Sequence, residues 1–431
     1  MNSPLSQPLT LPCGVNLPNR IAKAAMTEGL ADADDRATAA HQRLYRRWSA
    51  GGAGLLITGN VMVDRRFLER PGNVVIDGNG GREALQAWAR AGTEAGNHLW
   101  MQISHPGRQA SHFSSAPLLS PSDVQLRLGG MFSQPRAMSE AEIVDAIRRY
   151  AEVAQVARDC GFTGVQIHAA HGYLISQFLS PVTNRRSDQW GGELEHRARF
   201  LLEIVAAVRE RVGAGFPLGV KLNSADFQHG GFTLDECTQV AAWLADADID
   251  LLEISGGTYE QPRLLGVEGD KHTYSEPKAA STQRREAYFL EYAAAIQARS
   301  SLPLMVTGGF RSRRAMESAV GDGECAVIGL GRPLCVDPDL PAGLLDGSID
   351  EAEAWERVLR LGPGRLLGPA SPAFLLKAIN VQGQMAWFYQ QLLRLGAGED
   401  ADRRLGLLKA LARHNLGERR LARGRHFGAD V

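Results

Sequence analysis

Eight short apolar runs recur along this chain, each followed by a longer segment, and that repetition leaves few folds open. They are IAKAAM (21–26), GLLITGN (54–60), HLWMQIS (98–104), GVQIHAA (164–170), PLGVKLN (217–223), LLEISGG (251–257), PLMVTGG (303–309) and CAVIGLG (325–331). Near-continuous apolar runs of this length read as strands buried on both faces. Between them lie segments with helical periodicity, such as 140–160 and 195–212, and Ser139 with Glu142 forms a capping box before the first. Eight such alternations predict an α/β fold with the parallel sheet closed as a single (β/α)8 TIM barrel. A doubly wound open sheet would usually carry a GxGxxG turn after its first strand, and Ala25-Met26-Thr27-Glu28 offers none.

Two connections, 105–138 and 258–283, are longer than a barrel needs and rich in Ser, Pro, Gly and Arg. Both follow strands, so both should lie over the C-terminal mouth, where long loops hold substrates. The barrel is expected over 1–345. Residues 346–431 are expected as a helical C-terminal extension, with helical stretches near 351–361, 373–394 and 401–414, packed on the barrel or at an oligomer interface.

Composition narrows the function classes. The chain has 431 residues, 47 Lys plus Arg against 48 Asp plus Glu, and a formal net charge of −1. No global basic field calls for nucleic acid or acidic lipid. Its five cysteines, Cys13, Cys160, Cys237, Cys325 and Cys335, are odd in number and include no CxxC pair. That points away from a disulfide framework or a zinc or iron–sulfur cradle and towards a reduced, cytoplasmic setting. No signal-peptide pattern opens the sequence, and no segment approaches the roughly 18 apolar residues of a membrane helix.

The run 164–170 carries His168 near its end, and His171 and Tyr173 follow. Two imidazoles and a phenol at the C-terminal end of a barrel strand suggest a site that binds an electron-rich oxygen and moves a proton. The bland alternatives are core histidines with satisfied hydrogen bonds and a tyrosine packed at the rim. A zinc site would need a nearby Cys or Glu to complete its ligands, and none stands close in sequence. Lys221, an inward cation in an apolar run, needs an anion. Gly308-Gly309 and Gly331-Arg332, after the seventh and eighth runs, offer backbone amides and a cation where this barrel class commonly holds a phosphoryl group.

The run HAAHGYLISQFLSP (168–181), followed by Asn184, Arg186, Asp188 and Gly191-Gly192, resembles the Old Yellow Enzyme family of FMN-dependent ene reductases. PNRIAKAAMT (18–27), GGAGLLITGN (51–60), MQISHPGRQ (101–109), VKLN (220–223), VTGGF (306–310) and IGLGRP (328–333) match in the family's order. The resemblance covers about residues 5–345. It implies an NAD(P)H-dependent flavin oxidoreductase that holds FMN, takes hydride from NADPH or NADH, and reduces the C=C bond of enones, enals, maleimides or nitroalkenes.

By the same resemblance, His168 and His171 donate hydrogen bonds to the substrate oxygen and Tyr173 supplies the proton, with His168 also near the cofactor. Ala25, Met26 and Thr27 would address the flavin's pyrimidine edge and O4, Gly59 would leave room for the ring, and Gln102 would pair with N3 and O2. Lys221 would stand at N1 and O2, where the family more often has arginine. Gly308, Gly309, Gly331 and Arg332 would hold the phosphate. Trp190 and His196 depart from the more typical tyrosine and asparagine, and Thr27 stands where one branch has cysteine. Two rival readings are an oxidase or demethylase on the same FMN scaffold and a non-redox barrel that binds a phosphorylated metabolite.

Overall fold

The computed structural model describes residues 3–111, 117–126, 132–256 and 289–426, apart from 365 and 370. Eight parallel strands close into one barrel: β1 (Ile21–Lys23), β2 (Leu55–Met62), β3 (His98–Ser104), β4 (Gly164–Ala169), β5 (Leu218–Asn223), β6 (Leu251–Ser255), β7 (Leu304–Thr307) and β8 (Val327–Leu330). Each expected run supplies one strand, and β8 pairs with β1 to complete the ring. The expected (β/α)8 architecture is the observed one.

Helices α1 (Ala39–Ala50), α2 (Arg82–Gly92), α3 (Glu140–Asp159), α4 (Leu174–Leu179), α5 (Leu194–Val212), α6 (Leu234–Asp246), α7 (Leu290–Gln297) and α8 (Arg313–Gly321) fill the connections. The capping box at Ser139 starts α3: Ser139 accepts from the Glu142 amide while the Glu142 carboxylate accepts from the Ser139 amide at 2.8 Å.

Inside the barrel, Trp100 of β3 is fully buried and lies across β4 and β5. A Cβ on Gly164 would come within 2.4 Å of its indole, and one on Gly219 within 2.9 Å, so glycine at both positions makes room for the ring. Leu17, in a short antiparallel ribbon, and Leu11 just after the ribbon's first strand join Trp100, Ala22, Leu55, Leu251 and Val327 in one cluster at the strands' N-terminal ends. That end is plugged with apolar side chains, which leaves polar chemistry to the opposite mouth.

Beyond the barrel come α9 (Leu340–Asp346), α10 (Trp355–Val358), α11 (Phe374–Ala397) and α12 (Leu407–Gly424). The stretch expected over 351–361 holds a single helical turn, cut off before Gly362-Pro363-Gly364. The last helix runs ten residues past its expected end at 414. Arg70, in the loop after β2, stacks 3.9 Å from the centre of the Tyr389 ring on α11 and pairs with Glu418 on α12. Arg425 grips Asp35, in the loop after β1, through two bonds of 2.9 and 2.7 Å. Among the described residues, no helix is long and apolar enough to cross a membrane.

Candidate active site

His171 has φ of 61°, a left-handed conformation uncommon outside glycine, and Gly172 follows with φ of 76°. This turn folds the chain back at the end of β4, and Asn223 of β5 holds it by accepting from the His171 amide at 3.0 Å. The result brings residues 168, 171 and 173 together. The ring centres of His168 and His171 lie 5.2 Å apart, and those of His168 and Tyr173 lie 4.7 Å apart, both edge-on. His168 and Tyr173 are almost wholly buried. Burial holds both imidazoles well below their ordinary pKa; His171 and then Lys221 push His168 the same way, and Lys221 does so for His171. Both rings are therefore neutral near pH 7.

Each imidazole also has partners within the protein. His168 Nδ1 lies 2.9 Å from Asn60 Oδ1, and His168 Nε2 lies 3.2 Å from His171 Nδ1. His171 Nε2 meets the Ser255 hydroxyl at 2.8 Å. The sequence offered core histidines and site histidines as alternatives. These two are satisfied and at the mouth at once.

A second polar string lies deeper. Gln102 Nε2 donates to Gln166 Oε1 and Gln166 Nε2 to Glu253 Oε2, each at 2.7 Å, while Lys221 Nζ pairs with Glu253 Oε1 at 2.8 Å. All four side chains are at most 4% exposed. The anion that Lys221 requires is thus already supplied by Glu253 of β6. Sequence reasoning passed over Glu253 although it carries the same signal as Lys221, a charge inside an apolar run. Of the three N–H donors on Lys221, one is committed to Glu253, and the others suit an acceptor such as a flavin's N1 or O2.

Two of the expected flavin positions have neighbours within the protein. β1 ends at Lys23, which places Ala25, Met26 and Thr27 in the following loop. There the Thr27 hydroxyl donates to Glu69 Oε2 at 2.8 Å. Gly59 lies within β2, where the register shifts between Ile57 and Asn60. A Cβ on it would come within 2.3 Å of Glu28 and 2.5 Å of the Met26 carbonyl, so the room Gly59 leaves is taken by the chain's own 26–28 segment.

At the turns after β7 and β8, Gly308 and Gly309 both have positive φ, 119° and 92°, which a side chain would strain. Arg332 opens a short 3₁₀ turn after Gly331 and keeps about a third of its side chain exposed. Its guanidinium is 3.8 Å from Glu356 of α10, which also pairs with Arg311. A glycine cradle with a partly exposed cation fits a phosphate monoester. Trp190 is buried, and its carbonyl accepts from Asn184 at 2.7 Å, so this departure packs behind the site loop. The loop expected over 258–283 lies outside the described residues, as does part of 105–138.

Residues 4–351 match the NADH:flavin oxidoreductase / NADH oxidase family. The chain belongs to this family. It is 37% identical over 359 residues to the NADH-dependent flavin oxidoreductase iliE of Hypocrea jecorina, covering 78% of this chain and 87% of that one. It is 35% identical over 421 residues to the NADH-dependent flavin oxidoreductase iccE of Talaromyces variabilis, covering 91% and 98%. The second match takes in more of the chain than 4–351 and so reaches into the C-terminal extension.

Among solved structures, the old yellow enzyme homologue from Zymomonas mobilis superposes with a TM-score of 0.68 at 25% identity, covering 80% of this chain and 93% of that one. The resemblance to the Old Yellow Enzyme family is thereby upheld. The chain is a flavin oxidoreductase with FMN as cofactor and a nicotinamide as hydride donor.

Proposed function

We propose that this flavoenzyme reduces the C=C bond of alkenes conjugated to a carbonyl or nitro group. The observation that carries the reading is the meeting of His168, His171 and Tyr173 at the end of β4, with ring centres 4.7 and 5.2 Å apart and with His168 and Tyr173 buried. FMN, when bound, supplies the hydride from N5, having received it from the nicotinamide.

The protein's own residues do the rest. Gln102 and Lys221 hold the flavin's pyrimidine edge, beside Ala25, Met26 and the neighbouring Thr27. Gly308, Gly309, Gly331 and Arg332 hold its phosphate. The substrate oxygen enters at the histidine pair, where a hydrogen bond donated to it draws electron density from the alkene, and burial strengthens that bond. Tyr173 delivers its hydroxyl proton to the carbon next to the activating group. A phenol of ordinary pKa about 10 protonates a carbanion readily, and positioned proton transfer of this kind contributes roughly 10²- to 10⁴-fold. Five free cysteines suit a reducing compartment, so we place the enzyme in the cytoplasm.

Anaerobic stopped flow tests the reading. NADH or NADPH should bleach the bound flavin, and enones, maleimides and nitroalkenes should restore its colour with formation of the saturated product. A reduced enzyme that none of these reoxidises would refute it. Bleaching by an amine or alcohol substrate instead would identify an oxidase or demethylase.

A further inference from the structure

A string of hydrogen bonds crosses the mouth from the loop after β1 to the end of β6, and its direction can be worked out from one end. Glu69 Oε2 accepts from the Thr27 hydroxyl at 2.8 Å and from Asn60 Nδ2 at 2.6 Å. A carboxylate offers acceptors, so the Asn60 amide must turn its NH₂ towards Glu69. Its carbonyl oxygen then faces the other way, 2.9 Å from His168 Nδ1. An acceptor opposite a ring nitrogen requires a proton on that nitrogen. A neutral imidazole carries one N–H, which leaves His168 Nε2 as a bare lone pair. His171 Nδ1, 3.2 Å away, must therefore donate to it. His171 Nε2 is bare in turn and accepts from the Ser255 hydroxyl at 2.8 Å.

We infer that Glu69, acting through Asn60, fixes the tautomer of His168 and with it the direction of every hydrogen bond in the histidine pair. Glu69 and Asn60 are positioning residues. The catalytic meaning of this rests on the proposed function. An oxygen that enters the pair meets an N–H on His171 and a lone pair on His168, so the two histidines are not equivalent donors. The resemblance implied that both donate; the direction of the string assigns that role to His171 in the neutral site. An oxygen bearing its own proton, as in an enol, is matched on both sides, because it accepts from His171 and donates to His168. A carbonyl oxygen is matched by His171 alone.

Long-range proton–nitrogen correlation spectra of the ¹⁵N-histidine-labelled holoenzyme, without substrate, read the tautomers directly. His168→Asn and His171→Asn variants assign the signals among the 11 histidines. In the parent, both rings should carry their proton on Nδ1. Glu69→Leu frees the Asn60 amide and should shift His168 towards the Nε2–H form. Glu69→Gln keeps a side-chain carbonyl that accepts from Asn60 and should restore the parent pattern. Enone reduction by Glu69→Leu should slow about tenfold, the worth of one misdirected hydrogen bond, and Glu69→Gln should recover most of it.

A parent His168 protonated on Nε2 overturns the inference whatever the variants do, as does an unchanged pattern in a folded Glu69→Leu protein. If the Nδ1 pattern holds but no activated alkene is reduced, the proposed function falls while the tautomer assignment stands.

Discussion

Replacing Lys221 by methionine should damage the enzyme in two separable ways. Lys221 and Glu253 are 4% and 0% exposed and sit 2.8 Å apart, so the value of at most about 1 kcal/mol typical of surface pairs does not apply. Removing one partner of a buried pair costs about 3–5 kcal/mol because the other charge is left uncompensated. Here Gln166 still donates to the second oxygen of Glu253 at 2.7 Å, which places the cost near 3 kcal/mol. Lys221 also carries N–H donors beyond the one given to Glu253. Loss of a charge-assisted bond to the flavin is worth about 1.5–3 kcal/mol, or roughly tenfold and more in FMN affinity.

A second substitution separates the two effects. In Lys221→Met with Glu253→Gln, the buried charge is gone and the amide can still accept from Gln166, so stability should return to within about 1 kcal/mol of the parent. FMN affinity should not return. Urea unfolding monitored by circular dichroism gives the first quantity, and flavin fluorescence on titrating FMN into apoprotein gives the second. A single variant as stable as the parent would refute the argument from burial. A double variant that regains full FMN affinity would show that Lys221 serves only Glu253.

Three further outcomes are expected. Tyr173→Phe should leave FMN binding and flavin reduction near normal but slow reoxidation by a simple enone by roughly 10², about 3 kcal/mol of barrier, with nitroalkenes less affected; equal slowing of both half-reactions in stopped flow would reduce Tyr173 to packing. Burial lowers the His41 pKa from 6.5 to about 3, so the folded state binds its proton less readily than the unfolded chain; stability present above pH 6.5 is lost as pH falls towards 3, roughly 3 kcal/mol between pH 6.5 and 4, and His41→Asn should flatten that part of a urea-unfolding series against pH. Truncation after Leu395 strips Glu418 from Arg70 and Arg425 from Asp35, so the unfolding midpoint should fall sharply; an unchanged midpoint would mean these pairs do not anchor the extension, and an unchanged mass in solution would exclude it from a subunit interface.

The barrel was legible because its strands are buried on both faces and so stand out as apolar runs between amphipathic helices. Their ends were less so: β1 stops at Lys23, and β2 bulges and continues to Met62. His168, His171 and Tyr173 could be read together because one strand end carries all three. Asn60 and Glu69 could not, since nothing local marks a loop carboxylate that folds back on a distant amide. Thr27 and Gly59 were assigned to a cofactor by position, yet Glu69 takes the hydroxyl of one and the 26–28 segment takes the space beside the other. Intramolecular partners compete for the same polar groups, and a sequence does not rank the competitors.

Glu69 and Arg70 show how the mouth and the extension are joined. The two are adjacent, but Glu69 meets Thr27 and Asn60 at the site, while Arg70 meets Tyr389 of α11 and Glu418 of α12. Gly29 allows this: a Cβ there would come within 3.1 Å of the Arg70 guanidinium. The carboxylate that orders the histidine pair is thus held one residue from a buried cation that the extension clasps. Glu356 makes a parallel link at the loops after β7 and β8, reaching Arg311 and Arg332. In both cases a carboxylate beyond residue 351, where the family match ends, meets an arginine on a loop at the C-terminal ends of the strands. The charges that hold the extension in place therefore lie against loops at the C-terminal mouth, so a change in its docking bears on the positions of Glu69 and Arg332 before it bears on the barrel core.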